Sequence, residues 1–274
     1  MYIGCNWSKY LKQLIEQEKV KVDYIKNGLY ENFHEEFEIM RSMKPILLHG
    51  LGLNEDTGMR DIGIIDFQLL NKLIKECNSP HYGLHLAIKN SNMSDSITDE
   101  DIFKHMSNQV KIFKESINVP LILENTPDCP KDRTVFDHYP YVMPEQIKRI
   151  LVENNVGFLL DLTHAKITAQ YRGWNVYDYL ADLPLELIKE IHVNGSGRDA
   201  NGFPCDTHES MKEEDYELLK FVLSHSNPEI VTLEYVGKEW ESDEVILESL
   251  ERQLYRLNEI VKRVKRRSYR HLTI

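Results

Sequence analysis

Nine histidines and carboxylates stand at or just beyond the ends of short apolar runs, where burial would be costly unless each group had a task. PILLHG ends on His49, YGLHLA carries His85, and LILEN carries Glu124. GFLLDLTH carries Asp161 and His164, EIHVNG carries His192, and IVTLEY carries Glu234. Between the last two runs, CDTHE adds Asp206 and His208. Imidazole and carboxylate together suit Fe, Mn or Zn, and no cysteine recurs in the pattern to form a thiolate site. Asp161 and His164 form D-x-x-H, and Asp206 and His208 form D-x-H, which converges if its loop turns. A carboxylate can bridge two cations, so this set could serve three ions and leave positions open for water or substrate.

From His49 the successive steps are 36, 39, 37, 31 and 42 residues to His85, Glu124, Asp161, His192 and Glu234. Each step fits one strand-plus-helix unit, so the groups are expected at one end of one sheet. Apolar runs near 2–6, 20–26, 45–49, 82–88, 120–125, 157–162, 188–194 and 230–236 read as eight strands. Between them lie helix-like segments such as 66–77, 99–117, 144–153, 216–225 and 244–265, with apolar residues at helical spacing. The fold class is therefore α/β, a single (β/α)8 barrel over 1–274 with a basic C-terminal helix at about 244–270. Its chemistry is expected at the C-terminal mouth of the strands. The connection from Asn125 to Met143 is long enough to read as a loop that covers this mouth and helps hold the substrate.

A formal net charge of -11 disfavours a nucleic-acid backbone as the main partner, since phosphate contacts need a basic face. Cys5, Cys77, Cys129 and Cys205 form no C-x-x-C, which points away from a disulfide framework and towards a reducing cytoplasm. Neither a signal-peptide pattern nor a run of about 18 apolar residues is found, so no membrane association is expected.

The ligand order resembles endonuclease IV, a trinuclear zinc enzyme that cuts DNA at abasic sites. The surrounding words are more similar to another branch of the xylose-isomerase-like TIM barrels, the multinuclear non-heme iron-dependent oxidases typified by the methanobactin-synthesis oxidase. These words are HGLGL at 49–53, GLHLA at 83–87, LILEN at 121–125, GFLLDLTHAKITA at 157–169, YLADLPLELIKEIHVNGSG at 179–197, DTHE at 206–209 and TLEY at 232–235. The resemblance is strong in the second half and weak before Pro45. Many members of that branch carry Asn-Asn where this chain has Thr163–His164, so a third metal position is more histidine-rich here.

The resemblance implies two to three Fe ions (Zn or Mn as alternatives) and a dioxygen-using oxidation of a side chain, often Cys, in a ribosomally made precursor peptide. It also implies a separate peptide-recognition partner protein. By the same resemblance His49, His85 and Glu124 would hold one ion. Glu124, Asp161, His192 and Glu234 would hold a central one, and His164, Asp206 and His208 a third. Glu124, Asp161 and His164 are expected to be catalytic, and Asn125, His138 and Asn194 to contact substrate.

Three other functions use related residues. An endonuclease IV-like phosphodiesterase would employ the same ions to activate water, but would want basic loops at the mouth. A sugar isomerase or epimerase would need only Glu124, Asp161, His192 and Glu234, leaving five ligand candidates without a role. A non-catalytic metal-binding protein differs from all of these in lacking turnover.

Overall fold

The computed structural model describes residues 1–27, 33–50, 57–59, 61–89, 98–134, 136–137 and 141–271. Its elements in chain order begin with β1 (Tyr2–Asn6), α1 (Lys9–Glu16), β2 (Tyr24–Asn27), α2 (Phe33–Met43), β3 (Ile46–His49), α3 (Phe67–Cys77) and β4 (Tyr82–His85). There follow β5 (Ile88–Lys89), α4 (Asp99–Ser116), β6 (Leu121–Glu124), β7 (Phe136–Asp137), α5 (Pro144–Asn154), β8 (Gly157–Asp161), α6 (Leu162–Arg172) and α7 (Val176–Asp182). The last are β9 (Ile188–Val193), β10 (Gly195–Arg198), β11 (Pro204–Glu209), α8 (Glu213–His225), β12 (Ile230–Leu233) and α9 (Asp243–His271).

Eight strands close into a parallel barrel in the order β1-β12-β9-β8-β6-β4-β3-β2, the architecture that the strand–helix alternation predicts. The helices start where side chains can satisfy their first amides. Ser8 caps α1, Asp66 caps α3, and Thr98 with Asp101 forms a reciprocal capping box on α4. Left-handed residues Asn78, Asn155 and Gly173 stop α3, α5 and α6. Alternate strand residues such as Ile3, Cys5, Ile25, Leu84 and Leu160 are buried in the core.

Three strands, β2, β4 and β12, are each three residues shorter than their apolar runs. The run at 20–26 joins the ladder at Tyr24, just after Asp23, whose N–H donates to the Ile3 carbonyl at 2.7 Å and whose carboxylate accepts the Ile3 N–H at 2.9 Å. The run at 82–88 breaks after His85, and Ile88–Lys89 pairs instead with Phe136–Asp137 as an antiparallel ribbon. A second ribbon, β10 with β11, carries the D-x-H motif. Neither ribbon follows from hydrophobic periodicity, since their segments contain no apolar run that would announce a strand and pair outside the barrel ladder.

Register places the site. His85 sits opposite Glu124, and Asp161 opposite His192. The second match needs an irregularity between Phe158 and Leu159, where the partner jumps from Ile188 to Glu190. Without that extra residue Asp161 would face Ile191, and the two candidate ligands would not be level. Among the described residues no helix is long and apolar enough to cross a membrane.

Candidate metal centre

All nine candidate ligands reach the C-terminal mouth of the barrel, on β3, β4, β6, the β8–α6 junction, β9, β11 and the residue after β12. Three trios offer ligand atoms within 4.8 Å of one another: His49, His85 and Glu124; Glu124, Asp161 and His164; and Asp161, His192 and Glu234. The β10–β11 ribbon brings the remaining two in from the side. Asp206 Oδ2 lies 3.4 Å from His164 Nε2 and 3.0 Å from His208 Nε2, and His208 Nε2 lies 3.8 Å from Glu234 Oε2. His208 holds this place with a left-handed backbone, φ 50°, a costly conformation for a residue with a Cβ.

Glu124 is central. Its Oε2 lies 2.5 Å from His49 Nε2 and 3.3 Å from His85 Nε2, while its Oε1 lies 3.4 Å from His192 Nδ1 and 3.5 Å from His164 Nδ1. One carboxylate thus turns one oxygen to His49 and His85 and the other to His192. Close backbone approach makes this possible: a Cβ on Gly83 would stand 2.5 Å from His49 Cδ2, so only glycine leaves room for that ring.

Whether a cation fits can be judged from the polar atoms. His49 Nε2, Glu124 Oε2, Asp161 Oδ2 and His192 Nδ1 are buried and make no hydrogen bond of acceptable geometry. Buried polar groups nearly always find partners, and these four point into one cluster of nitrogens and oxygens. A metal ion satisfies such a set, and the residues therefore fit a metal centre.

Charge within the cluster is finely divided. Burial pushes the Glu124 carboxyl up, but His85, His49 and His192 outweigh it and hold it well below the ordinary carboxylate range. Burial raises Asp161 to about 7, with Glu234 and Glu124 adding to the effect and His164 opposing it. Glu234 goes the other way, to about 2, because Lys26, His192 and His208 overcome its burial. Burial also lowers His49. A cation entering here would displace protons from this cluster, which couples its affinity to pH.

Asn125 and Asn194 do not line the open cavity. The Asn125 amide donates to the Asp161 carbonyl and accepts the Asp161 N–H, both at 2.9 Å, and its own carbonyl accepts from His164 Nδ1 at 2.9 Å. That bond leaves His164 Nε2 towards Asp161 and Asp206. Asn194 Nδ2 donates to Asp206 Oδ1 at 3.2 Å. These two asparagines thus brace Asp161, His164 and Asp206. His138 lies outside the described residues. The described part of the 125–143 connection packs on α6, where buried Asp128 accepts from Arg133 and Arg172, and none of residues 126–134 lines the cavity.

The cavity, about 390 Å³, has a metal-ligand side made of His49, His85, Glu124, His164, Asp206, His208 and Glu234. Its other side is Asn6, Trp7, Lys26, Asn27 and Val236. Lys26, paired in register with Asn6, sets its ammonium on Glu234. Those first-strand residues were not singled out in the sequence. The available signal was weak: the first two strands also end in polar residues, CN and KN.

Solved structures similar to this fold include the IOLI protein with a zinc atom, at TM-score 0.67 and 16% identity, covering 96% of this chain and 99% of that one. A xylose isomerase domain protein from Alicyclobacillus acidocaldarius has TM-score 0.63 and 16% identity, with 97% and 99% covered. Among curated relatives, a UPF0276 protein of Acaryochloris marina is 26% identical over 198 residues, 70% of this chain and 68% of its own. A UPF0276 protein of Bordetella pertussis is 24% identical over 218 residues, 74% and 73% respectively. The family model for the RiPP precursor modification enzymes MbnB/TglH/ChrH matches residues 3–261, and this xylose-isomerase-like barrel with histidines and carboxylates gathered at its mouth belongs to that family, whose members modify ribosomally made precursor peptides.

Proposed function

We propose that the protein is a multinuclear, iron-dependent oxidase that uses dioxygen to oxidise a side chain, a cysteine foremost, in a ribosomally made peptide. The carrying observation is Glu124, which turns one oxygen to His49 and His85 and the other to His192. That is the arrangement of a carboxylate shared by two neighbouring ions. His49 and His85 would hold one ion with Glu124, and Asp161, His192 and Glu234 another. His164, Asp206 and His208 complete the set for a third.

Bound ferrous iron would supply open coordination positions and a route for electrons from the substrate side chain, which is oxidised, to dioxygen, which is reduced. The chain's part is geometric. Buried Asn125 fixes Asp161 and His164, Asn194 fixes Asp206, and the cavity admits a side chain with its adjoining backbone. Trp7 and Val236 offer apolar surface there, and Asn6 and Asn27 offer amides. A separate partner protein would present the peptide.

The reading is tested by incubating the anaerobically prepared iron protein with its cognate precursor peptide and partner protein, with and without oxygen, and in parallel with abasic-site duplex DNA. We expect a changed peptide mass only when iron, oxygen and peptide are all present. Cleavage of the DNA by a zinc-loaded sample under strict anoxia, at about 1 per second or faster, would instead establish a phosphodiesterase.

A further inference from the structure

His192 presents Nδ1 to the cluster, 3.4 Å from Glu124 and 3.5 Å from Glu234. Its other nitrogen, Nε2, faces Glu190 Oε1 at 3.3 Å. Glu190 lies two residues earlier on β9, on the same face of the strand and one layer deeper in the barrel. It is itself held twice: the Thr232 hydroxyl donates to Oε1 at 2.5 Å, and His81 Nε2 donates to Oε2 at 2.5 Å. These four residues are at most 5% exposed, and they come from β9, β12 and the residue before β4. Gly4 of β1 completes the arrangement, because a Cβ there would stand 2.4 Å from the Thr232 hydroxyl oxygen.

A carboxylate buried in a barrel core is expensive unless its oxygens are satisfied. Here they are satisfied by three groups whose combined effect is to fix one imidazole. We propose that Glu190 is a positioning residue of the metal centre: clamped by His81 and Thr232, it keeps the hydrogen of His192 on Nε2 and aims Nδ1 at the ion shared with Asp161 and Glu234. A carboxylate behind a ligating histidine fixes ring orientation and tautomer and raises the basicity of the ligand nitrogen. The inference rests on the metal-centre reading alone and is independent of whether the reaction is an oxidation.

The test uses Co²⁺ as the probe on the full-length, metal-stripped protein. Glu190→Gln keeps the shape of the side chain but removes the charge that accepts from both histidines. We expect it to bind Co²⁺ at one position about 10- to 100-fold more weakly than the unaltered protein, the size of effect such outer partners have. The visible ligand-field bands of that position should change, and the exchangeable hyperfine-shifted proton of His192 Nε2 should be lost. A merely structural role would alter the melting temperature without moving the Co²⁺ bands.

If Glu190→Gln does not melt cooperatively, Thr232→Val, which removes only the hydroxyl, decides the matter. It should weaken the same position about threefold or more, less than the loss of the whole carboxylate. A folded Glu190→Gln, or failing that Thr232→Val, with Co²⁺ affinity and bands unchanged would overturn the proposal. Failure of the unaltered protein to bind Co²⁺ would instead overturn the metal-centre reading beneath it.

Discussion

Glu124→Gln should leave the protein folded but strip it of at least one iron ion and abolish peptide modification. The carboxylate supplies one oxygen to the His49 and His85 side and the other to the His192 side. An amide carries no charge and has only one good donor atom for a cation, so one of the two ions loses its ligand and the other keeps only a neutral one. Outer partners of metal ligands already matter by about 10- to 100-fold, so affinity at a shared inner carboxylate should fall by more than about 100-fold. The substitution lies at the mouth, above the packed layers of the barrel, and the metal-free variant should therefore melt close to the metal-free parent. Elemental analysis and thermal melting check both halves. Full iron occupancy in Glu124→Gln would show that the residue does not bridge.

The second large effect is on stability. Iron binding to the folded chain and not to the unfolded one stabilises it by mass action, about 4 kcal/mol when free metal is a thousandfold above its dissociation constant. For chains of this order of length each kcal/mol moves the melting temperature by about 2–4 °C. Iron-loaded protein under anoxia should thus melt about 8–16 °C above protein stripped with chelator. The direction follows from the cluster itself, where four buried polar atoms make no hydrogen bond and gain a partner from the cation. Equal melting temperatures across a titration with excess ferrous iron would mean that these residues do not form a tight site.

The barrel was legible because one physical pattern repeats: a short apolar run, then a polar residue that hydrophobicity alone would not place there. His49, His85, Glu124 and Glu234 stand out in that way. What stayed hidden depends on contacts with no sequence period. Asn125 looks like the next polar residue along the mouth, yet its amide closes on the Asp161 backbone across the neighbouring strand. Lys26 gives no local sign of its ion pair, because Glu234 comes from the opposite end of the chain and becomes its neighbour only when β1 pairs with both β2 and β12. Glu190 reads as an ordinary polar strand residue until His81, Thr232 and Gly4 are placed around it. The two ribbons escaped for a similar reason, since their segments, IK, FD, GSGR and PCDTHE, contain no apolar run that would announce a strand.

If one barrel mouth assembles a multinuclear iron centre from these nine side chains, the metal content of the purified protein must show it. Protein produced with iron supplementation, purified without oxygen and analysed for every first-row metal should carry two to three iron ions per chain. A preparation holding no more than one ion of any kind would rule out a multinuclear centre.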